Sequence, residues 1–369
     1  MKKLGVRFLL LLMVLMAALT GCNSEKTGSK SDVLKICFIV HGNLGDKSFI
    51  DSAQHGMDMI KEKYGDKVKV KTVELGMDQT KWGPGLQDAS DQDWDIIVVG
   101  TWAMQEYLEQ VAPDHPEKKY IIFDGQPDFE KYNLKNVYAI TFKQNEAGFM
   151  AGALAAKVTT STMPLVNPEK KIGFLGGIDN PVVNDFLVGY IEGAQYIDKD
   201  MKVAISYIGS FVDSAKGKEM ALAQYNQGVD IGFNVAGQAG LGQIDAAKDA
   251  NKYCIGVDSD QALLFKDSAP DKADLIVSSA LKRVDTSLIR AIDMHMDGKL
   301  SYGKLEVLGF NEDCIGLAEN DIYKNLVSEE VRNELKEIEK KIISGEIKVT
   351  SASGMDADQL NKLRNSVKF

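Results

Sequence analysis

The chain has 369 residues, 44% hydrophobic and 26% charged, with 53 Asp and Glu against 43 Lys and Arg, for a formal charge of −10. That length exceeds one ordinary core and suits two domains. The acidic balance excludes a DNA or RNA polymer as partner, because neutralising phosphates requires clustered Lys and Arg.

Lys2, Lys3 and Arg7 open a positive leader, and residues 8–18 form an apolar run. The run is too short for a permanent membrane helix, which needs ~20 apolar residues, and it has the flanks of a signal peptide. It ends in Leu19-Thr20-Gly21-Cys22, which resembles a bacterial lipobox. Residues 1–21 are therefore expected to be removed and Cys22 to carry lipid, anchoring the body to the cell membrane on its extracytoplasmic face. Several acyl chains at ~0.8 kcal/mol per buried methylene make such an anchor nearly permanent. Residues 22–32 are small, polar and charged, and read as a flexible tether. Cys37, Cys254 and Cys314 are scattered among apolar residues and match no metal or CxxC spacing, so they read as buried thiols.

From residue 34 onward, short apolar strands alternate with amphipathic helices. Strands are predicted at 34–40, 67–75, 96–99, 120–123 and 137–142, with helices at 49–64 and around Met104, Leu108 and Val111. The pattern repeats with strands at 171–175, 201–207 and 231–235 and helices at 185–196, 215–227 and 242–251. All-apolar strands separated by helices indicate parallel sheets covered on both faces. Two such halves predict an α/β protein with two Rossmann-like lobes. The strand at 275–281 and the helix at 285–295 follow the second half, so the chain is expected to return to the first lobe. The resulting division is 33–142 with about 259–303 for lobe 1, and 143–258 with about 304–369 for lobe 2. Several crossings between lobes would form a multi-strand hinge that permits closure on a ligand.

Enzyme signatures are largely missing. There is no GxxxxGK[ST] loop, GxSxG elbow or HExxH pair, and the four histidines lack metal-ligand spacing. No cofactor and no metal are expected. Gly237, Gly240 and Gly242 follow an apolar strand and open a helix, but their order is wrong for a dinucleotide fingerprint. The stretch reads equally as a tight strand-to-helix turn or as a place where backbone amides meet a small polar ligand. Ligands of open α/β sheets gather beyond the carboxyl ends of strands. Those positions hold His41 to Phe49 (with Asn43), Asp124-Gly125, Gly209 to Asp213 (with Phe211), Asp258 to Gln261, and Lys282. Singly, Asp46 and Asp213 read as helix caps and Phe49 and Phe211 as core; jointly the group predicts a cleft with two aromatics, several carboxylates and one lysine. Such a cleft suits a planar ring bearing a hydroxylated group.

The same segments resemble the basic membrane protein family of bacterial lipoproteins, whose members include the purine nucleoside receptor of spirochaetes. The matching stretches are Gly45-Asp46-Lys47-Ser48-Phe49, the run from Thr141 to Gly148, Gly173-Phe174-Leu175-Gly176-Gly177, the run from Gly209 to Asp213 with Lys216-Gly217-Lys218, the run from Ala236 to Gly240, and the run from Ile255 to Gln261. The resemblance spans residues 36–317. It implies a type I periplasmic-binding-protein fold, and delivery of nucleosides to the permease and ATPase subunits of an ABC importer. Carried over by position, it implies that Phe49 and Phe211 stack on the base, that Asp258 and Lys282 bind ribose, and that Asp124 meets the base edge. This chain departs from the family after the first strand, where His41-Gly42-Asn43 stands in place of an acidic residue in a loop one residue shorter. The other readings are a receptor for another small polar ligand, such as a sugar or autoinducer, and a sensor feeding a membrane kinase. An exported nucleoside hydrolase is disfavoured for want of an aspartate-rich metal cluster.

Overall fold

The computed structural model describes residues 33–369. The expected signal peptide, lipidated Cys22 and tether lie outside the described residues. No helix among the described residues is long and apolar enough to cross a membrane.

The first half alternates strand and helix as far as β4, and β5 follows with no helix between: β1 (Leu34–Val40), α1 (Phe49–Tyr64), β2 (Val68–Glu74), α2 (Trp82–Asp91), β3 (Ile96–Gly100), α3 (Trp102–Val111), β4 (Lys119–Phe123) and β5 (Val137–Phe142). The second half runs α4 (Gln144–Thr159), β6 (Lys171–Gly176), α5 (Pro181–Ile197), β7 (Lys202–Tyr207), α6 (Ser214–Asn226), β8 (Ile231–Val235), α7 (Gly237–Ala250) and β9 (Tyr253–Asp258). Two short helices, α8 (Gln261–Lys266) and α9 (Pro270–Ala273), then lead to β10 (Ile276–Lys282). The tail comprises α10 (Val284–Met296), β11 (Lys304–Leu308), β12 (Ile315–Leu317), α11 (Asp321–Leu326), α12 (Glu329–Ile343) and α13 (Ala357–Ser366).

Two six-stranded sheets result, ordered β11-β5-β4-β3-β1-β2 and β12-β10-β9-β8-β6-β7. Every pairing is parallel except β10 with β12. Strands β3 and β8 are buried along their whole length, as expected of strands covered on both faces.

The tail divides differently from the sequence expectation. The strand placed in the returning segment 259–303 is β10, and it pairs in parallel with β9 in the second sheet. A parallel neighbour needs a long crossover, and α8 with α9 supplies it, so the chain has no reason to leave the second lobe before Lys282. The return starts at Arg283, with α10 packing on α1 and β11 pairing with β5. Strand β11 thus belongs to the first sheet, although residues from 304 onward were expected in the second lobe. Three segments cross between the sheets, at Lys143, Arg283 and residues 309–314, and backbone bonds tie the first to the end of β11 and the second to the third. Lys143 N–H donates to Leu308 O (2.9 Å), Arg283 N–H to Cys314 O (2.8 Å) and Cys314 N–H to Gly309 O (3.0 Å).

Helix α4 was not anticipated from periodicity, because nearly all its faces are buried and small residues fill them. It crosses α5 through two Gly-xxx-Gly pairs, Gly148 with Gly152 and Gly189 with Gly193. A Cβ at Gly152 would lie 2.0 Å from Tyr190 O, and one at Gly189 would lie 1.9 Å from Asn145 O. The two backbones are in contact with no room for a side chain.

Candidate ligand-binding site

The carboxyl ends of the two sheets face each other across a cavity of about 680 Å³. Asn43, Phe49, Asp124, Phe211, Gly237, Asp258 and Lys282 all line it. Cavities of this size and position hold small ligands in open α/β proteins.

The capping of α1 builds one wall. Its N-cap residue Ser48 makes no side-chain cap bond to the helix. Asp46, two residues earlier, accepts from the backbone N–H groups of Ser48 (3.0 Å), Ile50 (2.9 Å) and Asp51 (3.0 Å). Burial pushes the Asp46 carboxyl up, against the pull of those three donors. With the first turn satisfied by Asp46, Ser48 Oγ is free to donate to Asp258 Oδ2 at 2.5 Å, across the cleft. Further bonds join the same loops: Ser259 Oγ donates to Ser48 O (3.1 Å) and Gln261 Nε2 to Lys47 O (3.1 Å).

Asp258 ends β9 and Asp124 directly follows β4, both in the left-handed region at φ +63° and +58°. Non-glycine residues seldom adopt it, and such strain concentrates at functional sites. Burial pushes the Asp258 carboxyl up to about 7; Lys282 and the Ser48 hydroxyl pull it down, and Asp46 and Asp124 add to the rise. Lys282, at the end of β10, is 1% exposed and donates to Asp124 Oδ2 at 2.6 Å. Its ammonium also lies 5.1 Å from the ring centres of both Phe49 and Phe142 and 5.9 Å from that of Phe186. The rings and the Asp124 carboxylate together hold a desolvated cation.

Phe49, the first residue of α1, packs on Phe123 at 5.5 Å between ring centres and lines the cavity. Phe211 comes from the opposite lobe, in the loop after β7. Its carbonyl accepts from Ala239 N–H (2.8 Å) in the first turn of α7, which Gly237 opens at φ +54°. Its ring lies on the bare backbone of Gly177, where a Cβ would come within 2.4 Å. The glycines at 177 and 237 thus seat the ring that lines the cavity. Asp213, read as a cap, does cap α6, accepting from Lys216 N–H at 3.0 Å.

Several lining residues escaped the sequence reading: Met77, Trp82, Trp102, Tyr107 and Phe186. Trp102 left a usable signal, since Thr101-Trp102 directly follows a fully apolar strand at the carboxyl edge. His41 lies edge-on to Trp82 at 5.2 Å, and burial pushes its imidazole down to about 4, so it is neutral at physiological pH. Among the described residues no group of His, Cys, Asp and Glu is arranged to hold a metal ion.

Residues 33–353 match the Bmp family, described as "ABC transporter substrate-binding protein PnrA-like". The chain belongs to this family. Basic membrane protein A of Borreliella burgdorferi is 32% identical over 347 residues, covering 93% of this chain and 95% of that one. The ABC transporter nucleoside-binding protein BmpA of Lactococcus lactis is 29% identical over 371 residues, covering 95% of this chain and all of that one. Among solved structures, an ABC transporter solute-binding protein of Aeropyrum pernix superposes with a TM-score of 0.77 at 27% identity, covering 90% of this chain and 98% of that one. This Bmp-family chain is an ABC-transporter substrate-binding protein with a periplasmic-binding-protein fold, and not an enzyme.

Proposed function

We propose that the chain is a lipid-anchored extracytoplasmic receptor that captures nucleosides, purines first, and delivers them to the permease and ATPase subunits of an ABC importer. The observation that carries the reading is the pairing of two aromatic residues from opposite lobes, Phe49 and Phe211, with Asp258 and Lys282 in one cavity. Aromatic faces stack on a planar base with ~1–3 kcal/mol each. The Asp258 carboxylate accepts from ribose hydroxyls and the Lys282 ammonium donates to them, removing the ~1–3 kcal/mol cost of burying an unpaired hydroxyl. Asp124, bonded to Lys282, stands with it at the ribose end, Asn43 meets the ligand from the loop after β1, and Gly237 admits it close to the first turn of α7. The nucleoside-binding name of the Lactococcus lactis relative supports the ligand class. The three crossing segments form the hinge about which the lobes close.

The test is native mass spectrometry of the purified domain as isolated and after incubation with adenosine, inosine, ribose and myo-inositol. Retention of a nucleoside mass is the expected result. Retention of a sugar or inositol with no nucleoside would reject the reading.

A further inference from the structure

The cleft is chemically divided along its length, and the sheet orders dictate the division. Asp124 and Lys282 pair across the lobes at one end, with Asp258 beside them on the neighbouring strand β9. The opposite end lies beyond β1 and the edge strand β2 in the first sheet and beyond β6 and the edge strand β7 in the second. The lining there is His41, Met77, Gln79 and Trp82, continued after the adjoining strand β3 by Thr101, Trp102, Glu106 and Tyr107, with Val212 from the other lobe.

These side chains form a built wall. Trp82 Nε1 donates to Gly76 O at 2.8 Å, and the His41 ring stands edge-on against Trp82. Thr101 Oγ1 reaches His41 Nε2 at 3.4 Å. Tyr107 lies on the backbone of Gly83, where a Cβ would come within 2.8 Å of its ring. Met77 Sδ covers Gly42 at 3.6 Å from the position of a Cβ. Trp102 and Met77 are nevertheless 51% and 52% exposed. Both line the cavity, so a ligand that extends to this end covers them. The neutral His41 offers no cation to an anionic group.

We infer that this outer end is a subsite for an uncharged apolar substituent on the base, so that base-alkylated and base-arylated nucleosides are ligands alongside unmodified ones. The inference rests on the nucleoside reading above, with ribose toward Asp258 and Lys282 and the base edge toward Trp102 and Met77. Two indoles, a phenol and a thioether give such a substituent aromatic faces and a soft, adaptable contact.

The test is calorimetric titration of wild type, Trp102→Ala and Met77→Ala with adenosine and N6-benzyladenosine. The wild type is expected to bind N6-benzyladenosine at least as tightly as adenosine. Trp102→Ala is expected to weaken N6-benzyladenosine at least tenfold more than it weakens adenosine, with Met77→Ala acting in the same direction. Adenosine binding with rejection of the benzyl derivative would overturn the subsite, and so would equal losses for both ligands in both variants. Failure of adenosine itself to bind would instead overturn the nucleoside reading on which the subsite stands.

Discussion

At the scale of single residues, Asp258 bears two opposed demands. Burial and the neighbouring Asp46 and Asp124 work against its charge, while a ribose hydroxyl is best received by the ionised carboxylate. Burial holds its carboxyl at about 7, above the ordinary carboxylate value. The folded state therefore binds a proton that the unfolded state has released, and stability contributed by this group falls as pH rises from about 4 to 7. Ligand hydroxyls favour the ionised form, so nucleoside affinity is expected to rise with pH up to about 7 and then level off. Calorimetry at pH 5.5 and 8 checks this; Asp258→Asn should bind weakly with a flat profile, and a flat wild-type profile would contradict the assignment. The aromatic pair makes a separate prediction. Phe49→Ala and Phe211→Ala should each weaken nucleoside binding by ~1–3 kcal/mol with melting largely retained. Core residues would instead lose ~3–5 kcal/mol of stability with unchanged affinity.

At the scale of elements, what the sequence revealed depended on the signal each element carries. Strands β3 and β8 are short apolar runs, and α1 shows a clean stripe, so all three were legible. Helix α4 is buried almost all round by alanine and glycine, which leaves no polar face to mark its period. The site segments were legible because they follow strands; Trp102 follows β3 in the same way, whereas Trp82, at the start of α2, carries no such mark. The capping role of Asp46 was anticipated in kind, but not the release of Ser48 toward Asp258, since that bond joins residues 210 apart in sequence. The glycines of the α4–α5 crossing give a direct test. Gly152→Val would drive a side chain into the Tyr190 carbonyl, and overpacking of this sort costs ~1–3 kcal/mol or more. Denaturant unfolding should show that loss, and an unchanged midpoint would mean that the helices do not cross so closely.

At the scale of the whole molecule, the division of the tail between two sheets was the least legible feature. Nothing local in the apolar run of β10 says which sheet it joins; that is decided by the crossover before it and by its neighbour β9. The consequence is functional, because the end of β10 delivers Lys282 to Asp124 of the other lobe and so ties the hinge end of the cleft. The proposed lipid anchor belongs to this scale as well. Cys22→Ser should abolish metabolic labelling with fatty acid and release the protein from the membrane fraction, and unchanged labelling would argue against Cys22 as the lipidated residue.

Nucleoside capture through the ribose is the central claim, and one titration series tests it most directly: inosine and adenosine against hypoxanthine and adenine, on wild type and Asp258→Ala. Hydrogen bonds to charged groups contribute ~1.5–3 kcal/mol, so the substitution should lower nucleoside affinity at least about tenfold while the free bases, which lack the hydroxyls, lose far less. Equal losses for nucleoside and base, or no binding of nucleosides by the wild type, would contradict it.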